Sequence, residues 1–196
     1  MKFMKWFIEE FSNKPAFGID EVKAFLRRRN ASEGYHKLLI QNMIKSSRIY
    51  KITRGVYTFH DEVQYAGFAF TPFYYGLEDA LSLLGLWEQE TNPVIITPRK
   101  VRSGIRQFDS RNYLVRRIRR KMFFGYTLMK YEQFYIPVSD IEKTLIDLVY
   151  FNIRVPDEVI STIIRRLNRE TFNSYLIELP QYLSSRVRII VRKKKW

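Results

Sequence analysis

Few side chains in this sequence are placed to make or break bonds. There is no cysteine, and only two histidines, His36 and His60. That excludes thiol catalysis, a disulfide framework, cysteine zinc sites and a histidine-rich metal centre. No Ser/His/Asp grouping is suggested, and no G-x-x-x-x-G-K phosphate loop occurs. Asp140, Glu142 and Lys143 resemble a nuclease cluster only superficially, because they miss the acid-x-Lys spacing. Two residues apart on a helix, Asp140 and Glu142 also point about 200° from each other. Ser139 and Glu142 read more simply as a capping box at a helix start. The expectation is a protein that is not an enzyme and holds no metal or cofactor.

The side chains with legible chemistry are cations and amides. Gly34, Lys37, Gln41 and Lys45 share a narrow arc of a helical wheel, roughly opposite Leu39, Ile40, Met43 and Ile44. Such an arc suits a recognition helix: Lys37 can donate to guanine O6/N7, Gln41 can pair bidentately with adenine, and Gly34 permits close backbone approach. Ser32 is placed as the N-cap of that helix and counts with the DNA-facing set. Lys45 and Arg48 are suited to phosphates, which position a domain without reading sequence. Arg54, between Thr53 and Gly55 at a hairpin tip, suits a narrow minor groove or its phosphates.

A second basic group is Arg116, Arg117, Arg119 and Arg120, with Arg111 and Lys121, around Tyr113, Leu114, Val115 and Ile118. On a strand these charges fall on both faces, a pattern that suits a sheet edge. The group can extend a DNA footprint, bind RNA or an acidic partner, or pair internally with acidic residues.

Elements must hold these residues. Phe3, Met4, Phe7, Ile8 and Phe11 predict one helical face, ended by Asn13-Lys14-Pro15. A second helix follows Gly18, with Asp20 and Glu21 in its first turn and Arg27, Arg28 and Arg29 in its last. The third runs from Ser32 to about Ser46. Ile49–Ile52 and Val56–Phe59 then alternate as strands about Thr53-Arg54-Gly55. Three helices and a hairpin in about 60 residues is the layout of a winged helix-turn-helix. Beyond it come a connector (61–72), a helix over 74–85, and a strand at 93–97. A basic loop at 99–110 leads to strands near 113–118, 123–128 and 134–138. Helices are predicted from 139 to about 150, over 157–167 and over 171–179; residues 183–191 suit either helix or strand.

The formal net charge of +14 lies in blocks. Residues 1–60 carry +7, residues 61–98 carry −6, residues 99–130 carry +10 and residues 131–196 carry +3, ending in a basic tail at Arg192–Lys195. Blocks of this kind point to a polyanionic partner. No signal-peptide or membrane segment is read: Glu9 and Glu10 interrupt the N-terminal apolar run, and the longest uncharged stretch, 63–77, contains Gln64 and Pro72. The expected setting is cytoplasmic, without a membrane partner.

Three passages resemble a known family. Met43-Ile-Lys-Ser-Ser-Arg-Ile-Tyr-Lys-Ile-Thr-Arg54-Gly-Val-Tyr57 resembles the helix-to-wing segment of the AbiEi-like antitoxins, among the predicted transcriptional regulators of viral defence. Tyr75-Gly-Leu-Glu-Asp-Ala-Leu-Ser-Leu-Leu-Gly-Leu86 is similar to their post-wing helix. Pro137-Val-Ser-Asp-Ile-Glu-Lys-Thr-Leu-Ile-Asp-Leu148 is similar to a later one. They occur in the family's order and cover about residues 15–150; the basic stretch 99–121 and the Lys/Arg tail depart from it.

The resemblance implies a repressor that binds its own promoter as double-stranded DNA. It also implies an antitoxin that counters a nucleotidyltransferase-like toxin in the type IV manner, without necessarily touching it. The expected fold is α+β, with a winged helix-turn-helix over 1–60 and a mixed α/β domain over 61–196. The alternatives are a ligand-responsive or dimeric winged-helix regulator without a toxin, then a nucleic-acid-processing enzyme. Monomer and dimer are equally compatible with the sequence.

Overall fold

Phe3, Phe7 and Phe11 recur at every fourth position, and the chain between them winds into a helix that buries this stripe. The computed structural model describes residues 3–193; Lys194 and Lys195 of the basic tail lie outside the described residues. In chain order the elements are α1 (Met4–Phe11), β1 (Phe17–Gly18), α2 (Ile19–Arg27), α3 (Tyr35–Lys45), β2 (Tyr50–Thr53), β3 (Val56–Thr58), β4 (Tyr74–Tyr75), α4 (Leu77–Leu83), β5 (Val94–Thr97), β6 (Gly104–Phe108), β7 (Arg111–Arg117), β8 (Tyr126–Tyr131), β9 (Phe134–Ser139), α5 (Ile141–Tyr150), α6 (Asp157–Arg166), α7 (Arg169–Glu178) and α8 (Gln181–Lys193). Short 3-10 helices span Val63–Phe70 and Arg120–Met122. The fold is α+β with a mixed sheet.

The chain divides into two compact units, Met1–Thr71 with Ile105–Tyr113, and Pro72–Gly104 with Leu114–Trp196. This differs from a boundary after residue 60. The supposed connector is a 3-10 helix whose Val63, Tyr65, Ala66 and Phe70 are buried. The tip of the β6–β7 hairpin joins the same unit: the Tyr113 hydroxyl donates to the Ile52 carbonyl at 3.3 Å, and Phe108 lies 6.0 Å from Tyr50, centroid to centroid. Periodicity in 61–72 cannot show this, because eight apolar-rich residues without alternation fit no regular template.

The first unit is built on an aromatic core. Phe7 and Phe11 lie 4.9 Å apart, Phe11 and Phe25 5.5 Å, and Phe7 and Phe17 5.6 Å. Its strands form a small antiparallel sheet in the order β1-β3-β2, with Phe17 opposite Tyr57 and Tyr50 opposite Thr58.

In the second unit β4 pairs antiparallel with β5 and parallel with β9. β5 pairs parallel with residues 114–117 of β7, and β8 and β9 form an antiparallel hairpin. Helix α5 is buried along nearly its whole length and packs against α4, α6, α7 and α8. Two sequence expectations change here, and one open reading is settled. Tyr74 and Tyr75 open no helix but form β4. The basic loop contains β6, whose Ile105 faces out and whose Phe108 faces in, hiding its alternation. Residues 181–193 are helical, because burying Leu183 and Val187 against α5 outweighs their β propensity.

Candidate nucleic-acid interface

Helix α3 begins later than its N-cap pattern predicts. Ser32 does not cap it; it sits in the α2–α3 turn, where its carbonyl accepts from Tyr35 N at 3.2 Å. The N-cap is Gly34, at φ +83, a left-handed conformation that a side chain makes costly. Gly34 therefore serves the turn and not the helical arc. Ser32 lines a cleft of about 480 Å³ with Lys23, Arg27 and His36.

From Tyr35 onward the wheel holds. Leu39, Ile40 and Met43 are buried, while Lys37, Gln41 and Lys45 are exposed. Two apolar residues join that outer face: Leu38 is 51% exposed and Ile44 38%. Ile44 is thus corrected from the inner to the outer side. Leu38 was open to discovery, since it lies about 60° from Gln41 on the wheel. Apolar side chains between polar ones on such a face can contact thymine methyl groups.

The hairpin turn is two residues, Arg54-Gly55, with Gly55 at φ +77. Its carbonyl accepts from Ile19 N at 2.8 Å, and β1 pairs with β3 beside it, so the start of α2 holds the turn in place. Arg54 is exposed. Arg48 is also exposed, its Nη1 3.2 Å from the Met4 sulfur. At the start of α2, Glu21 accepts from Gly18 N at 2.8 Å and from Lys14 Nζ at 2.8 Å. Burial pushes the Glu21 carboxyl up, but these two donors outweigh it and hold it below its ordinary range.

Arg116, Arg117, Arg119 and Arg120 belong to the second unit and do not share one strand. β7 ends at Arg117, Arg119 lies in the following link, and Arg120 opens a 3-10 turn. Residues 114–117 are not an unpaired edge, because they run beside β5. Arg116 is half-buried, its guanidinium 6.0 Å from the Phe151 ring centroid, whereas the other three are exposed. Parallel pairing of β5 and β7 brings their carboxyl ends to one edge: Ile118 N donates to Thr97 O at 3.0 Å and Arg117 N to Ser103 Oγ at 3.0 Å. Exposed Arg99, Lys100 and Arg102 thereby join Arg117, Arg119 and Arg120 at the same end of the sheet. The sequence signal for this was two apolar strands, each followed by a basic run. Arg111 pairs internally: it lies 3.9 Å from Glu62 and donates to the Asp61 carbonyl in the first unit.

The second unit also contains a sealed polar cluster. Lys143, Asp147 and Tyr74 are fully buried. Lys143 Nζ donates to Asp147 Oδ1, and the Tyr74 hydroxyl donates to Asp147 Oδ2 at 2.8 Å. Burial pulls the Lys143 ammonium down and pushes the Asp147 carboxyl up, each opposed by the other's charge; burial and Asp147 together raise the Tyr74 hydroxyl. The capping box is corrected here. Asp140 is the N-cap of α5, accepting from Lys143 N at 2.7 Å, while Glu142 accepts from Asn168 N at 2.6 Å. Ser139 Oγ turns to Tyr75 O and Thr144. The signal for the buried pair was Lys and Asp four residues apart within the apolar run of α5.

Among the described residues no three His, Asp or Glu side chains could together hold a metal ion, and no helix is long and apolar enough to cross a membrane. No protein-family model matches the chain, and no curated protein matches it.

Proposed function

We propose that the first unit is a winged helix-turn-helix that binds duplex DNA, with α3 as its recognition helix and the Arg54-Gly55 hairpin as its wing. The observation that carries this reading is the division of α3. Leu39, Ile40 and Met43 go into the core, while Lys37, Leu38, Gln41, Ile44 and Lys45 stand outside, a mixture suited to base edges and thymine methyls. In this reading Arg48 and Arg54 meet phosphate or the minor groove. The cations at the carboxyl ends of β5 and β7 add a second phosphate-binding surface.

The chain acts as a cytoplasmic transcriptional repressor of its own operon. On the strength of its three motif-like passages it is the antitoxin of an AbiEi-like type IV pair and performs no catalysis. Titrating the protein on DNA from upstream of its own gene across a salt series tests the DNA-binding claim. Arg54→Ala should lower the slope of log affinity against log salt by about one phosphate-equivalent. An unchanged slope and affinity would remove the wing from the interface. Coexpression with the adjacent reading frame tests the antitoxin claim, since rescue of growth requires that frame to be toxic alone.

A further inference from the structure

Helices α6, α7 and α8 enclose an open cleft of about 510 Å³ in the second unit. Four of its lining residues are arginines: Arg165, Arg169, Arg188 and Arg192. Among the described residues no carboxylate lines it. Its floor is apolar, formed by Ile164, Leu167, Phe172, Leu176 and Val191. Several of these floor residues also belong to the hydrophobic core of the unit or pack against it, so the floor is rigidly backed.

We propose that this cleft binds a nucleotide. This reading goes beyond the DNA interface and does not depend on it. Three features select the ligand class. Guanidinium groups bind phosphate oxygens in bidentate fashion and stack on planar rings, and among the described residues every cation lining the cleft is an arginine. An apolar floor beneath charged rims suits a ligand with a flat, weakly polar body and an anionic end, which inorganic phosphate lacks. The volume lies in the range of pockets that take ligands of nucleotide size. Exposed Arg188 and Arg192 come from one helix at a spacing of four, so both reach the same ligand end.

Calorimetric titration of the full chain with ADP, at physiological salt, tests the assignment, with pyrophosphate and laurate as comparison ligands. ADP should bind, and pyrophosphate should bind about tenfold more weakly for want of contact with the floor. The double variant R188A/R192A should lose at least about tenfold in ADP affinity with its melting temperature retained. N173W, which fills the cleft without changing charge, should abolish binding. R186A, on the same helix but outside the lining, should leave it unchanged. Pyrophosphate binding as tightly as ADP would reduce the cleft to a general anion site and overturn the proposal. So would laurate binding in place of ADP, no binding at all, or ADP binding indifferent to R188A/R192A and N173W.

Discussion

Helices α3 and α5 carry similar chemistry with opposite outcomes. Each sets polar residues four apart within an apolar run, Lys37, Gln41 and Lys45 on α3 and Lys143 and Asp147 on α5. On α3 the polar side chains stand in solvent, because only one side of the helix meets the aromatic core. On α5 helices and sheet cover every side, and Lys143 and Asp147 have nowhere to go but toward each other and Tyr74. A polar pair on a helix therefore carries no meaning until the number of covered faces is known. The outward set is available to a partner, whereas the inward set holds the unit together.

The largest expected effect breaks the inward half of this contrast. Lys143→Met leaves the Asp147 carboxylate buried beside Tyr74 without its counter-ion and should cost about 3–5 kcal/mol in denaturant unfolding. Lys143→Met combined with Asp147→Leu should recover most of that loss, because the desolvation cost disappears with both charges. If the double variant is no better than the single one, the pair is not what the packing of α5 depends on.

On the outward half, Gln41→Ala should leave the unfolding midpoint unchanged. It should reduce discrimination at one or two operator positions by about 1–3 kcal/mol, read by competition between wild-type and base-substituted duplexes. A uniform loss on all sequences would mean that Gln41 positions the helix without reading a base. Gly34→Ala probes the turn that aims α3. The left-handed backbone at Gly34 should cost about 1 kcal/mol of stability, while open space around the new methyl group adds no clash.

The smallest effect concerns pH. The Glu21 carboxyl is held below its ordinary value of 4.5 in the folded state. Its contribution to stability is therefore fully present above that value and is lost as pH falls through the lowered folded one. Glu21→Gln should lower stability slightly at neutral pH, where the contribution is fully present, and flatten the acid limb of the profile. An unchanged acid limb would show that the Lys14–Glu21–Gly18 contacts do not persist in solution.

Much of the first unit was legible because its helices obey one rule: a single apolar stripe facing a single core. The Phe3/Phe7/Phe11 stripe, the acid-to-base order of α2 and the alternation around Gly55 each express a local preference that tertiary packing leaves intact. The outer face of α3 is legible for the same reason, apart from Ile44, which the wheel places inward, and Leu38, which the pattern assigns to neither face. Ser32 misleads because a good capping residue two positions before a glycine loses to the turn that the left-handed glycine makes. In the second unit local rules mattered less. Tyr74 and Tyr75 follow β4 because β5 and β9 flank them. In the first unit residues 63–70 escape local rules in the same way, buried by partners from other segments such as Tyr113 against Phe70.

The sequence by itself determined the residue classes available to this protein: no thiol, two histidines, a basic excess in two blocks, and an amphipathic third helix with an amide and two lysines on one side. These follow from composition and from the 3.6-residue period, which any helix must obey. Only the tertiary structure decided which charges are usable. Parallel pairing carried Arg99 and Lys100 to the same sheet end as Arg117 and Arg119, while helix packing enclosed Lys143 with Asp147 and gathered four arginines over one apolar floor. The physical reason is that burial and proximity are properties of several segments at once. A charge is functional or structural according to what covers it, and its cover comes from elsewhere in the chain.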